Sequence, residues 1–123
     1  MTPQEVFTQA TEHLRKQNAI SVDACNDSAY FGINNFKCPV GIFIETSEYS
    51  SDMEYHTVRD LIRAHDDKKL ALSTRLYDLI KEHLSLLDHL QLMHDATPID
   101  QWEKELQVIA THFKLELPAI KCE

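Results

Sequence analysis

The apolar positions of this chain fall mostly at helical spacing, and they outline four segments. Val6, Phe7, Ala10 and Leu14 line one face of a first helix running to about Gln17. Thr2-Pro3-Gln4-Glu5 opens it with an N-cap threonine, a proline at the first helical position and a capping-box glutamate. Asn18 is its terminator. A shorter helix is predicted from Asp52 to His65, with Met53, Val58, Leu61 and Ile62 turned inward, followed by the polar connector Asp66 to Lys69. Ser73 to His94 reads as one long helix. Leu76, Leu79, Ile80, Leu84, Leu87, Leu90 and Met93 make its apolar face, and Leu86 and Leu92 widen it beyond half the circumference, which predicts a central position. Thr97-Pro98-Ile99-Asp100 repeats the opening device, and Ile99, Trp102, Leu106, Ile109 and Phe113 carry a last helix. The short connection predicts that it folds back antiparallel on the long one.

One stretch breaks the pattern. "AYFGINNFKCPVGIFI", residues 29–44, holds both glycines of the chain. Ala29-Tyr30-Phe31 and Phe36-Lys37-Cys38 are β-prone pieces around Gly32-Ile33-Asn34-Asn35, whose Gly and Asn tolerate positive φ, so a small hairpin is expected here. A lone hairpin is not stable in water and must lie on helices. Pro39 then starts a short helical turn, Val40 to Ile44, in which Gly41 predicts close backbone approach to a neighbour. The fold class expected is mainly α (α+β): four helices with a β-hairpin inserted after the first, in a single domain spanning 1–123.

Charge and cysteine usage narrow the function classes. The formal charge is −8, with 20 acids against 12 bases interleaved rather than blocked. Direct binding to a nucleic-acid backbone needs a clustered basic surface, and none is visible. Cys25, Cys38 and Cys122 are an odd number, the N-terminus lacks the features of a signal peptide, and no apolar run approaches a membrane span. The expectation is a cytoplasmic protein with free thiols and no membrane association.

Candidate chemistry is sparse. Cys38 would sit at the start of the turn beginning at Pro39, with Lys37 beside it, an arrangement that favours thiolate; burial of the free cysteine is the competing reading. Seven histidines include no HxxxH pair, and there is no CxxC, so the usual zinc spacings are missing and no metal or other cofactor is expected. His94 and Asp95 end the long helix, either as turn architecture or as an acid/base couple facing the hairpin, with Tyr30, Lys37 and Glu54 as neighbours. A candidate ligand pocket is therefore Tyr30, Lys37, Cys38, His94 and Asp95. Tyr49, Glu54 and Tyr55 lie in or beside a polar stretch and are the candidate partner-binding surface, since tyrosine is enriched at interfaces. No Ser-His-Asp triad, P-loop, GxGxxG or EF-hand pattern occurs, and no catalytic residue is assigned.

The blocks Tyr30…Lys37-Cys38-x-Val40-Gly41…Tyr49…Glu54 and Leu90-Gln91-x-x-His94-Asp95…Trp102 resemble those of a family of small uncharacterised proteins found in phage, prophage and bacterial genomes. The chain departs from that pattern twice: Ser28 stands where the family has its first cysteine, and Tyr55 where it has a glycine. The resemblance implies a mobile-element context. With the acidic surface, it leads to the expectation of a non-enzymatic protein that binds and occludes a host protein, for example as an anti-defence inhibitor. The alternative is a small enzyme, or a small-ligand or metal-binding protein, using the pocket above. Self-association as a homodimer is a third reading.

Overall fold

The computed structural model describes residues 1–120. Five α-helices enclose one core: α1 (Pro3–Gln17), α2 (Val58–Asp66), α3 (Thr74–Glu82), α4 (Leu84–Ala96) and α5 (Trp102–Phe113). Helix α1 forms as its sequence predicts. Thr2 Oγ1 accepts from the Glu5 amide at 3.1 Å, the Thr2 amide donates to Glu5 Oε1 at 3.0 Å, and Asn18 closes the helix at φ 47°. Helix α4 is the centre of the bundle and packs against each of the other four. Phe7, Leu14, Met53, Leu61, Leu76, Ile80, Leu87, Leu90 and Leu106 are fully enclosed around it.

The predicted long helix is two. The chain kinks at His83 (φ −111°, ψ 25°), separating α3 from α4. No glycine or proline marks the break. The His83 imidazole is buried and bonded to the Met1 carbonyl at 3.0 Å, a partner 82 residues away. The second predicted helix is also shorter. A 3₁₀ turn covers Ser51–Met53, Tyr55 lies in the left-handed region at φ 63°, and α2 begins only after the Thr57 cap. At the last helix the Thr97 hydroxyl caps nothing. Ile99–Gln101 form a 3₁₀ turn without a side-chain cap, and the Thr97 carbonyl accepts from Trp102 Nε1 at 3.0 Å.

The expected β-hairpin does not form. Residues 19–44 make a compact loop with two isolated antiparallel bridges, Val22 with Ser28 and Phe31 with Lys37. Beyond these bridges the loop is held from outside: the amides of Tyr30 and Phe31 donate to the Glu54 carboxylate at 2.8 and 3.2 Å. Positive φ falls on Asn34 (60°) and Asn35 (61°), whereas neither glycine has it. The glycines serve close approach. A Cβ on Gly41 would fall inside the van der Waals envelope of the Tyr30 carbonyl, and one on Gly32 would meet the Val22 backbone within 2.9 Å. Gly41 sits in a single 3₁₀ turn, Gly41–Phe43, as the sequence led one to expect of that stretch.

Polar side chains fasten this loop to the helices. Gln17 brackets Lys37, accepting from its amide and donating to its carbonyl, both at 3.0 Å, and His13 Nε2 donates to the same carbonyl at 2.7 Å. Arg75 and Ser73, at the start of α3, hold Glu48 of the Thr46–Glu48 turn. After α5 the chain returns along α1, where Gln4 pairs with the backbone of Glu116 and Arg15 donates to the Pro118 carbonyl at 2.7 Å.

Candidate functional site

The loop and the helices meet at a cleft of about 390 Å³. Its walls come from three pieces of chain: Asp27, Ser28 and Tyr30 from the loop, residues 54–58 ahead of and at the start of α2, and Asp88, Gln91, Leu92 and Asp95 from α4. The α4 residues recur at steps of three and four and share one helix face. Glu54 joins the loop to the second wall. Its carboxylate accepts from the amides of Tyr30 and Phe31 and from the Tyr49 hydroxyl, the last at 2.6 Å. The Tyr30 hydroxyl donates to the His56 carbonyl at 2.6 Å, tying the same two segments again.

Asp95 stands at the end of the third wall, with His94 enclosed behind it, in a network that reaches the loop. Asp95 Oδ1 accepts from Ser28 Oγ at 2.5 Å, Gln91 Nε2 at 3.0 Å and His94 Nδ1 at 2.8 Å. On its other side the fully buried imidazole accepts the Ser21 amide hydrogen at Nε2, 3.0 Å away. That contact fixes the tautomer, with the proton on Nδ1. Ser21 in turn donates through its hydroxyl to the Ala29 carbonyl at 2.8 Å, so His94 nails the loop to α4. With both ring nitrogens committed and no exposure, His94 is not placed to exchange a proton with anything in the cleft. The pair's role is architectural, although its partners are Ser28, Gln91 and Ser21 rather than the amides of the following turn.

The candidate pocket is thus divided. Tyr30 and Asp95 line the cleft; Lys37, Cys38 and His94 do not. Cys38 is fully buried, its Sγ accepts from the Gly41 amide at 3.2 Å, and burial pushes the thiol up to about 12. The thiolate reading of this cysteine therefore fails, because loss of solvation outweighs the bonds from the Gly41 and Val40 amides. Lys37 lies over the Phe31 ring, with its ammonium 4.4 Å from the centroid, and Phe31 stacks on Tyr49 at 4.1 Å. Cys25 is an exposed free thiol, Cys38 is free as well, and Cys122 lies outside the described residues. Among the described residues no three His, Cys, Asp or Glu side chains are grouped to hold a metal ion, and no helix is long and apolar enough to cross a membrane.

The candidate partner surface is divided as well. Tyr49 and Glu54 are half-buried and bonded to each other, so they support the fold. Tyr55 alone projects, 75% exposed at the rim of the cleft. Its hydroxyl donates to Asp23, which lowers the Asp23 carboxyl and pushes the phenol up to about 12. Tyr55 sits at φ 63°, a conformation that glycine adopts without strain. Across the cleft Leu92 is 66% exposed. Asp27, Asp88, Gln91 and Leu92 were missed in the sequence; the i, i+3, i+4, i+7 spacing of Asp88, Gln91, Leu92 and Asp95 was a signal for the α4 wall, masked by counting Leu92 in the core.

Compared with known proteins, the chain matches no family model, no curated protein and no solved structure.

Proposed function

We propose that this is a non-enzymatic binding protein of phage or prophage type, acting in the bacterial cytoplasm by occluding the surface of a host factor. The observation that carries the reading is the cleft between Tyr55 and Leu92. It exposes two large side chains on a backbone pinned by Glu54, Tyr30 and the His94 network. Exposed aromatic and aliphatic groups on a rigid frame bind at a reduced ordering cost, because the backbone is already fixed. The two groups best suited to chemistry, Cys38 and His94, are enclosed and bonded internally. An anti-defence role is consistent with such a surface.

The test is affinity capture of a partner from a bacterial host, followed by titration of the purified pair with Tyr55→Ala and Leu92→Ala. Loss of about tenfold or more in affinity, with an unchanged urea midpoint, is the expected result. Equal affinity for both variants removes this surface from consideration.

A small-ligand site is the second reading, because about 390 Å³ falls within the roughly 300–1,000 Å³ typical of small-molecule pockets. It predicts a co-purifying small molecule or metal. A thiol profile in a Cys122→Ser background adds the enzyme test: Cys25 alone is expected to react in the native state, and fast labelling of Cys38 would revive a thiol chemistry.

A further inference from the structure

Helix α1 carries a polar stripe that is not a solvent face. Gln4, Thr8, Thr11 and Arg15 recur at steps of four, three and four, so they lie along one side of the helix. Thr11, within the stripe, is fully enclosed. The two ends hold the chain that returns after α5. The Gln4 side-chain amide grips the Glu116 main chain at two points, accepting from its N–H and donating to its carbonyl, both at 2.9 Å. Arg15 donates through Nη1 to the Pro118 carbonyl at 2.7 Å. Its Nε and Nη2 are committed to Glu103 at 2.9 and 2.7 Å, which fixes the guanidinium in advance of that contact.

The returning segment is held as a ligand is held. Lys114 ends α5 in the left-handed region at φ 57°, and the amides of Lys114 and Leu115 bond back to the helix. From Glu116 to Ile120 no backbone–backbone hydrogen bond joins the chain to the rest of the described residues. Exposure alternates as in an extended strand, with Leu115 and Leu117 half-buried against the core and Lys114 and Glu116 outward. Glu116 and Pro118 are gripped through main-chain atoms, and the two leucines supply the apolar contact. Main-chain bonds combined with burial of alternate side chains are the means by which proteins bind extended peptides.

We infer that this side of α1 is a groove for an extended peptide of the pattern Leu-x-Leu-Pro, occupied in cis by residues 115–118, and that an external segment of the same pattern enters by displacing them. The inference is independent of the cleft, because no residue of α1 lines it. A tethered occupant competes at an effective concentration in about the millimolar range. The strap therefore closes the groove to weak ligands, and it yields to a segment that binds more tightly or when its own leucines are removed.

The experiment uses the ¹⁵N-labelled full chain carrying Leu115→Ser and Leu117→Ser. It is titrated with the acetylated peptide amide Leu-Glu-Leu-Pro-Ala-Ile and with the same peptide bearing serine at both leucines. The leucine peptide should give saturable shifts at the amides of residues 4–15, with an affinity at least about tenfold higher than for the wild-type chain, where the strap competes. Adding Gln4→Ala, which leaves the Thr2–Glu5 capping box in place, should weaken binding about fivefold or more. In the wild-type chain the Glu116 amide should exchange its hydrogen at least about 100-fold faster than those of Leu106 and Ile109, at a rate insensitive to low urea, because the strap opens without unfolding the bundle. No saturable shift, equal binding of the serine peptide, equal affinity for the wild-type chain, or undiminished binding after Gln4→Ala each overturns the inference. So does a double-serine variant that no longer folds, or a Glu116 amide that exchanges only with the core, since either makes the strap inseparable from the core.

Discussion

Replacing His94 by leucine tests the architecture on which the cleft depends. The imidazole is fully buried and spans Ser21 on the loop and Asp95 on α4. Leucine has similar bulk, so cavity formation is a minor part of the cost. Removing Nε2 leaves the buried Ser21 amide without an acceptor, at about 1–3 kcal/mol. Removing Nδ1–H takes one of three donors from Asp95, which keeps Ser28, Gln91 and solvent, so that loss costs about 0.5–1.5 kcal/mol. The expected destabilisation is about 1.5–4.5 kcal/mol, and the midpoint of thermal unfolding should fall by about 3–5 °C for each kcal/mol in a domain of this size. Against a total of about 5–15 kcal/mol the variant should still fold. Trp102, the single tryptophan, has its ring centroid 6.0 Å from that of His94, so its fluorescence during urea unfolding reads the site directly. Two-bond nitrogen–proton correlations on the native protein should place the imidazole proton on Nδ1. A leucine variant with an unchanged midpoint, or a proton found on Nε2, refutes the assignment of His94 as the loop's fastener.

Gly41→Ala should cost at least about 3 kcal/mol, because the new methyl group meets the Tyr30 carbonyl, which is backbone and cannot swing aside; a urea midpoint within error of wild type would show that the loop yields there. Glu48 is held by Arg75 and Ser73 well below the usual carboxylate range, at about 2. Its depressed value means that the stabilisation is fully present above the ordinary value of 4.5 and is lost as pH falls towards 2. The raw shift is discounted because Arg75 is half exposed and screened, so Glu48→Gln should cost about 1–2 kcal/mol at pH 6 and progressively less below pH 4.5. Urea unfolding of both proteins across that range checks it, and a pH-independent difference would contradict it.

Local signals in the chain were enough for part of its structure. The capping box of α1, the packing of the last helix on its predecessor and the central place of the second half of the predicted 73–94 helix follow from contacts within a few residues or from apolar spacing, and each forms. The close approach at Gly41 was also legible, since a glycine inside an apolar turn has few other uses.

What required the tertiary structure is every choice made between distant segments. At the kink His83 bonds the Met1 carbonyl, 82 residues away, and where a hairpin was expected the loop is fastened to Glu54 through the Tyr30 and Phe31 amides. Cys38 is enclosed, so of the two readings open in the sequence, burial and thiolate, the structure bears out burial. The candidate site separated for the same reason: Tyr49, Glu54 and His94 spend their polar atoms on the fold, while the Tyr55 ring and the Leu92 side chain are left exposed. A sequence shows which hydrogen-bonding groups a protein owns. Which of them are already spent is settled only when segments far apart in the chain come within 3 Å of one another.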